Sequence, residues 1–280
     1  HGAVVSHDNS PENRVFQEVA EVGKTLEKIS AVVGTIRPSE VAILYDWENH
    51  WALGDAQGFG KETKRYPETV QEHYRPFWER DIPVDVVTKK HDFSKYKLLI
   101  VPMLYMIDEE TIKRLKEYAA GGGTLVSTYI TGIVNENDLV YEGGWPGDLK
   151  EVFGLEPLET DTLYPKDRNA ICYQGKIYEV KDYATVLKLH SAESLAEYQD
   201  DFYAKTPAVA VHKYGAGTAY YIGARLEQGF HDLFYSRLLK ELKIDPPVSV
   251  QHEKGVSVQV RRGPERDYIF LLNFTEVPQK

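Results

Sequence analysis

Cysteine is nearly missing from this 280-residue chain: Cys172 stands alone. An intrachain disulfide framework and a multi-cysteine zinc site are therefore excluded. Long apolar runs are missing as well. The longest, Leu98 to Ile107, is broken by Pro102 and falls well short of the roughly 20 residues a bilayer demands. Positive charge is in deficit, with 33 Lys and Arg against 43 Asp and Glu and a net charge of −10. That balance argues against a nucleic-acid partner and against an anionic membrane surface, whose phosphates it would repel. No GxGxxG, P-loop, HExxH or GxSxG pattern occurs. The nine histidines are scattered without ligand spacing, so neither a metal nor another cofactor is expected. No leader sequence is evident, and the reading is of a cytoplasmic protein.

What is present is globular, with 42% hydrophobic and 27% charged residues, and the length suggests about two folding units. Ser10 and Pro11 supply helix-start chemistry. Val15, Val19, Val22, Leu26, Ile29 and Val33 then recur at helical spacing, predicting one amphipathic helix that ends near Gly34. From Glu40 the pattern alternates. Apolar runs at Val41 to Tyr45, Val84 to Thr88, Leu98 to Val101 and Thr124 to Thr128 predict strands. Helices are predicted at Tyr66 to Arg80, with Val70, Tyr74, Phe77 and Trp78 inward, and from Asp108 to the stop at Gly121-Gly122-Gly123. Continuous apolar strands alternating with amphipathic helices predict a parallel sheet with helices on both faces. The Thr88–Leu98 link has room for a helical turn only. Residues 130 to 207 are less regular, with a hairpin expected over Ala170 to Val180. A second hairpin is signalled by Tyr214-Gly215-Ala216-Gly217, and a helix spans about Gly229 to Lys243. Asp245-Pro246-Pro247 marks a domain boundary, after which alternating strands begin a small β unit. The chain starts at His1 without Met and stops in strand-rich sequence, and it reads as a piece of a longer protein.

Carboxylates are plentiful, but none forms a recognisable acid–base pair. Glu109 and Glu110 complement a helix dipole. Asp200, Asp201, Glu265 and Asp267 read as solvated loop charges, and Glu136 and Asp138 follow a strand end. Asp46-Trp47-Glu48-Asn49-His50-Trp51 stands out, because it leaves the carboxyl end of the first parallel strand with two acids, an imidazole and two indoles. Such a segment suits a sugar ring, but suits a subunit contact or packing somewhat better. An amidotransferase on such a sheet needs a cysteine at a strand-to-helix elbow. Cys172 lies in the expected hairpin and Tyr129 follows the strand that would carry the elbow, so that chemistry is set aside.

Several segments, in order along nearly the whole chain, carry a resemblance. They are His1-Gly2-Ala3-Val4-Val5-Ser6-His7, Arg14 to Val19, Asp46-Trp47-Glu48-Asn49, Leu99 to Tyr105, Gly122 to Val126, Gly132 to Asp138 and Gly143-Gly144-Trp145-Pro146-Gly147, with Arg261 and Asn273 near the end. The sequence resembles the C-terminal portion of glycoside hydrolase family 42 β-galactosidases.

The resemblance implies three parts: residues 1–34 as the end of a catalytic (β/α)8 barrel, 35–245 as a trimerisation domain, and 246–280 as the start of a small C-terminal β domain. The implied fold of the middle part is a flavodoxin-like, class I glutamine amidotransferase-like α/β sheet, preceded by a barrel-derived helix. The general acid and nucleophile would both be barrel glutamates upstream of His1, so this chain is expected to be inert by itself. The parent would hydrolyse terminal non-reducing β-D-galactosides with retention, using carboxyl groups about 5 Å apart. His1 occupies the position of a family histidine that hydrogen-bonds galactose. Trp47, Glu48 and Trp51 are expected to help wall the cleft of a neighbouring subunit in a homotrimer. A competing reading is a stand-alone carbohydrate-binding or interaction module with its ligand site at Asp46 to Trp51. About 350 upstream residues encoding a barrel would separate the two.

Overall fold

The structure is a computed structural model that describes residues 4–7, 9–60 and 62–279. Along the chain run α1 (Arg14–Lys28), β1 (Val41–Leu44), α2 (Trp47–Asp55), α3 (Tyr66–Trp78), β2 (Val84–Val87), β3 (Leu98–Val101), α4 (Glu109–Ala120) and β4 (Thr124–Thr128). After a long loop come the short α5 (Lys150–Phe153), β5 (Leu155–Thr162), β6 (Asn169–Tyr173), β7 (Lys176–Leu189), β8 (Glu193–Tyr198), β9 (Pro207–Tyr214), β10 (Gly217–Ile222) and β11 (Ala224–Leu226). The chain then forms α6 (Gln228–Leu242), β12 (Val256–Arg262) and β13 (Asp267–Asn273).

One half of the main sheet is parallel, in the order β2-β1-β3-β4-β10. The register is flush: Val41 lies opposite Val84 and Leu98, and Thr124 opposite Leu98 and Thr218. Strand alternation then sorts the apolar side chains onto two faces. Val41, Ile43, Leu98, Ile100 and Val126 pack beneath α2, α3 and α6. Ala42, Leu44, Leu99, Val101 and Leu125 pack beneath α4 and α5. Both faces are covered, as such continuous apolar strands require.

The other half is antiparallel and contains both expected hairpins, β6 with β7 and β9 with β10, but extends well beyond them. From β9 outward every pairing is antiparallel, in the order β9-β8-β6-β7-β11, with β5 added on β7. β7 is long enough to serve β5, β6 and β11 together, whereas its sequence mixes Lys, Glu and Asp among the apolar residues and shows no clean period. Three local readings also change. Residues 88–97 form turns without a helix, tied by Arg114 reaching the Lys89 and His91 carbonyls. α1 starts at Arg14 because Asn13, which accepts from the Phe16 amide at 2.9 Å, is its cap, while Ser10 accepts from Glu12 in a local turn. On α3, His73 is buried and Tyr74 and Trp78 are only half-buried; Trp78 rests edge-on against Phe274, centroids 5.5 Å apart.

β12 and β13 form a separate two-stranded sheet. It is held to the main body by the Ile36–Arg262 backbone pair at 2.9 and 2.7 Å and by Arg261 on Thr35. Buried Asp81 adds a third tie, accepting from the Val258 amide at 2.8 Å and meeting His252 Nε2 at 2.5 Å. No described side chain of α1 is buried, and its Val19, Val22 and Leu26 face solvent. Val4 to His7 adopt bends and a turn.

Candidate functional site

Because the parallel register is flush, the segments leaving β1, β3 and β4 emerge side by side at the carboxyl edge, the place where open α/β sheets build sites. The first is the start of α2. Asp46 caps it by accepting from the Asn49 amide at 2.9 Å. Trp47 and Trp51, four residues apart, therefore share one helix face. Their rings lie 6.3 Å apart and remain 57% and 65% exposed. Tyr45 stands edge-on to Trp47 at 5.3 Å and stacks on Tyr66 at 5.1 Å, and His50 joins both Trp47 and Tyr66. The result is a solvent-facing aromatic platform with a buried base.

Glu48, one position round the helix, points elsewhere. Its carboxylate meets Lys89 Nζ at 2.5 Å, and Asp108 meets the same ammonium at 3.2 Å. The hydrogen bond from Lys89, then its charge, holds Glu48 below the usual carboxylate range. Burial alone would raise Asp108, but hydrogen bonds from Thr111 and Lys89 outweigh it and hold this carboxyl low too. Both acids stay ionised at neutral pH and neither is a proton donor. Glu48 lines a broad open groove with Lys90, Glu109 and Glu136, and neither tryptophan lines that groove. The structure thus joins Trp47 to Trp51 and sets Glu48 apart. His1 lies outside the described residues.

The platform stands on two supports. Asn49 is buried; its Nδ2 donates to the Met103 carbonyl at 3.0 Å and its Oδ1 accepts from the Met106 amide at 3.0 Å. Met103 leaves β3 in the left-handed region, φ +43°, with its amide bonded to Thr128 Oγ1 at 2.9 Å. Tyr66 is the second support, its hydroxyl accepting from the Asp46 amide at 3.1 Å.

Beneath both lies a residue that the sequence did not mark. Arg225 is 1% exposed, yet every arm of its guanidinium is engaged. Nε donates to Tyr129 Oη at 2.8 Å, and Nη1 meets Asp182 at 2.6 Å and the Thr63 carbonyl. Nη2 donates to the Lys64 carbonyl at 2.6 Å and to Thr69 Oγ1 at 2.9 Å. The Tyr183 ring lies 5.0 Å from its centre. These partners come from three distant chain segments, residues 63–69, 129 and 182–183, so no local pattern could announce them; an arginine inside the apolar run around β11 was the one available signal.

At the β4 exit the left-handed residue is buried Ile130, φ +60°, next to buried Tyr129. An elbow nucleophile would need that location. Cys172 instead lies in β6, paired with Ile177 and Glu197. Among the described residues no group of three or more His, Cys, Asp or Glu is placed to hold a metal ion, and no helix is long and apolar enough to cross a membrane.

The comparisons with known proteins agree along the chain. A family profile described as the β-galactosidase trimerisation domain matches residues 39–245. The β-galactosidase GalA of Bacillus licheniformis is 68% identical over 279 residues, covering 100% of this chain and 42% of that protein. GanA of Bacillus subtilis is 66% identical with the same coverage. Among solved structures, Gan42B, a GH42 β-galactosidase from G. stearothermophilus, superposes with a TM-score of 0.90 at 67% identity, over 100% of this chain and 41% of that one. The Rahnella sp. R3 enzyme superposes at 0.86 and 40% identity, over 98% of this chain and 41% of that one. This chain thus spans about 42% of the length of the curated relatives it matches. The chain belongs to the glycoside hydrolase family 42 β-galactosidases, of which it carries the trimerisation domain.

Proposed function

We propose that this chain is the assembly portion of a cytoplasmic enzyme that hydrolyses terminal non-reducing β-D-galactosides with retention. The catalytic glutamates would lie outside this sequence, in a barrel whose last segment is residues 1–34. Residues 35–245 would form the trimerising unit, and 246–280 would open a small β domain. The order β2-β1-β3-β4-β10 is the flavodoxin-type order of doubly wound sheets, which supports that description of the parallel half. A single cysteine in 280 residues fits a reducing compartment. An independent binding module is disfavoured, because relatives that match from end to end carry the match within longer β-galactosidases.

The observation that carries the site reading is the solvent-facing Trp47–Trp51 pair on a rigid helix start. In a closed trimer each copy presents one face to the next copy's different face. The pair would there wall a neighbour's sugar cleft, one indole face stacking on the apolar side of a galactose ring. Glu48, ionised and largely exposed, would accept a hydroxyl hydrogen on the rim. His1 would contact the galactose of its own barrel.

Trp51→Ala in the full-length enzyme is expected to raise KM for a nitrophenyl β-D-galactoside by about tenfold, about 1.4 kcal/mol, with kcat nearly unchanged. An unchanged KM would remove the tryptophans from the cleft.

A further inference from the structure

We infer that Arg225 is the positioning residue of the Trp47–Trp51 face, one buried guanidinium bracing both supports on which α2 stands. The inference rests on the reading of that face as a sugar-contacting wall.

Two connected routes run from Arg225 to the platform. On the first, Nη2 holds the Lys64 carbonyl at 2.6 Å and Thr69 Oγ1 at 2.9 Å, bracketing Tyr66. Tyr66 is thereby fixed to receive the Asp46 amide at 3.1 Å and to stack under Tyr45 at 5.1 Å. Arg65, just before it, sits at φ +39° and reaches the same Asp182 carboxylate at 2.5 Å. On the second, Nη2 lies 3.5 Å from Met103 Sδ, and the Met103 carbonyl holds Asn49 of α2 at 3.0 Å. Tyr129 on Nε and Asp182 on Nη1 fix the fork from the opposite side.

An apolar side chain could fill this volume without burying a charge. What the planar fork adds is a fixed angle between the Met103 turn and the α3 start. Ala52, Leu53 and the Glu48–Lys89 pair also hold α2 to the body, but the two supports under its first turn meet at Arg225, so the direction in which Trp47 and Trp51 face follows from that guanidinium. Lysine would keep the charge and lose the fork.

The test uses the full-length enzyme, a nitrophenyl β-D-galactoside as probe, and the variants Arg225→Lys, Tyr66→Phe and Trp51→Ala. Arg225→Lys is expected to raise KM about tenfold and Tyr66→Phe about threefold, with kcat within about twofold of the parent. Amide exchange across residues 46–55 should accelerate by about tenfold in both, while β12 and β13 exchange at the parent rate. A purely structural Arg225 would lower the melting temperature and leave both KM and exchange at 46–55 unchanged, which overturns the inference. Accelerated exchange combined with an unaltered KM in Trp51→Ala upholds the positioning role and overturns the sugar-contact reading instead. If Arg225→Lys does not fold, Tyr66→Phe decides alone: parent-like exchange at 46–55 overturns the inference.

Discussion

Arg225→Met is expected to destabilise the chain by about 3–5 kcal/mol, measured as a lower urea midpoint without a change in slope. The side chain is 1% exposed and makes hydrogen bonds from all three of its nitrogens. Methionine has a similar volume, so the loss is not that of a cavity. It comes from the groups left behind: Tyr129 Oη and the Lys64 carbonyl would lose a buried donor, and the half-buried Thr63 carbonyl and Asp182 would each lose a partner. Asp182 keeps Arg65 at 2.5 Å, which limits the damage there. A loss below about 1 kcal/mol would mean that water replaces the guanidinium and that the hub is not closed.

The second large effect is acid lability. His73 and His231 are both buried between α3 and α6, ring centroids 4.4 Å apart. Burial pushes His231 down to about 3, helped by the charge of Lys181. Burial, then His231 and Arg225, pushes His73 well below its ordinary value. His73 Nδ1 meets the Tyr235 hydroxyl at 2.5 Å. Among the described residues neither ring has a carboxylate partner that would stabilise a positive charge. In the unfolded chain both titrate near 6.5. Above about pH 7 folded and unfolded states bind the same protons at these sites, and stability is flat. Below 6.5 the unfolded chain takes up two protons that the folded chain refuses, so stability falls with pH by up to about 3 kcal/mol per unit. Between pH 7 and pH 5 the expected loss is about 4 kcal/mol. His252 acts in the opposite sense, its pKa raised by the Glu253 carbonyl and by Asp81, but it lies at the surface of the C-terminal sheet, where solvent screens the gain. Urea unfolding at pH 7, 6 and 5 measures the slope, and His231→Phe should halve it. Equal midpoints at pH 7 and 5 would contradict the account.

These two clusters also show where sequence reading stops. β1, β3 and β4 are legible because a strand covered on both faces is apolar at every position, and Val41–Leu44 and Leu98–Val101 are. The hairpin of β9 and β10 is legible from Tyr214-Gly215-Ala216-Gly217. β5 is not: Leu155–Thr162 has a proline, a register shift against β7 and a burial pattern with no alternation beyond its first three residues, so neither period nor propensity marks it. At the site, the four-residue spacing that joins Trp47 to Trp51 can be read along the helix, and the separation of Glu48 follows once α2 is placed. The Lys89–Asp108 clamp on Glu48 and the Arg225 hub cannot be read, since each gathers side chains from distant segments whose meeting is set by sheet order. His73 and His231 look like two scattered histidines for the same reason: 158 positions of chain separate residues that α3 and α6 bring together.

The central claim is that assembly is encoded within these residues. Light scattering on a sizing column measures it directly. The account predicts that the chain, 31.9 kDa as a monomer, elutes at about 96 kDa as a closed trimer. A mass that stays at 31.9 kDa across all concentrations would contradict it and move the assembly determinants outside this sequence.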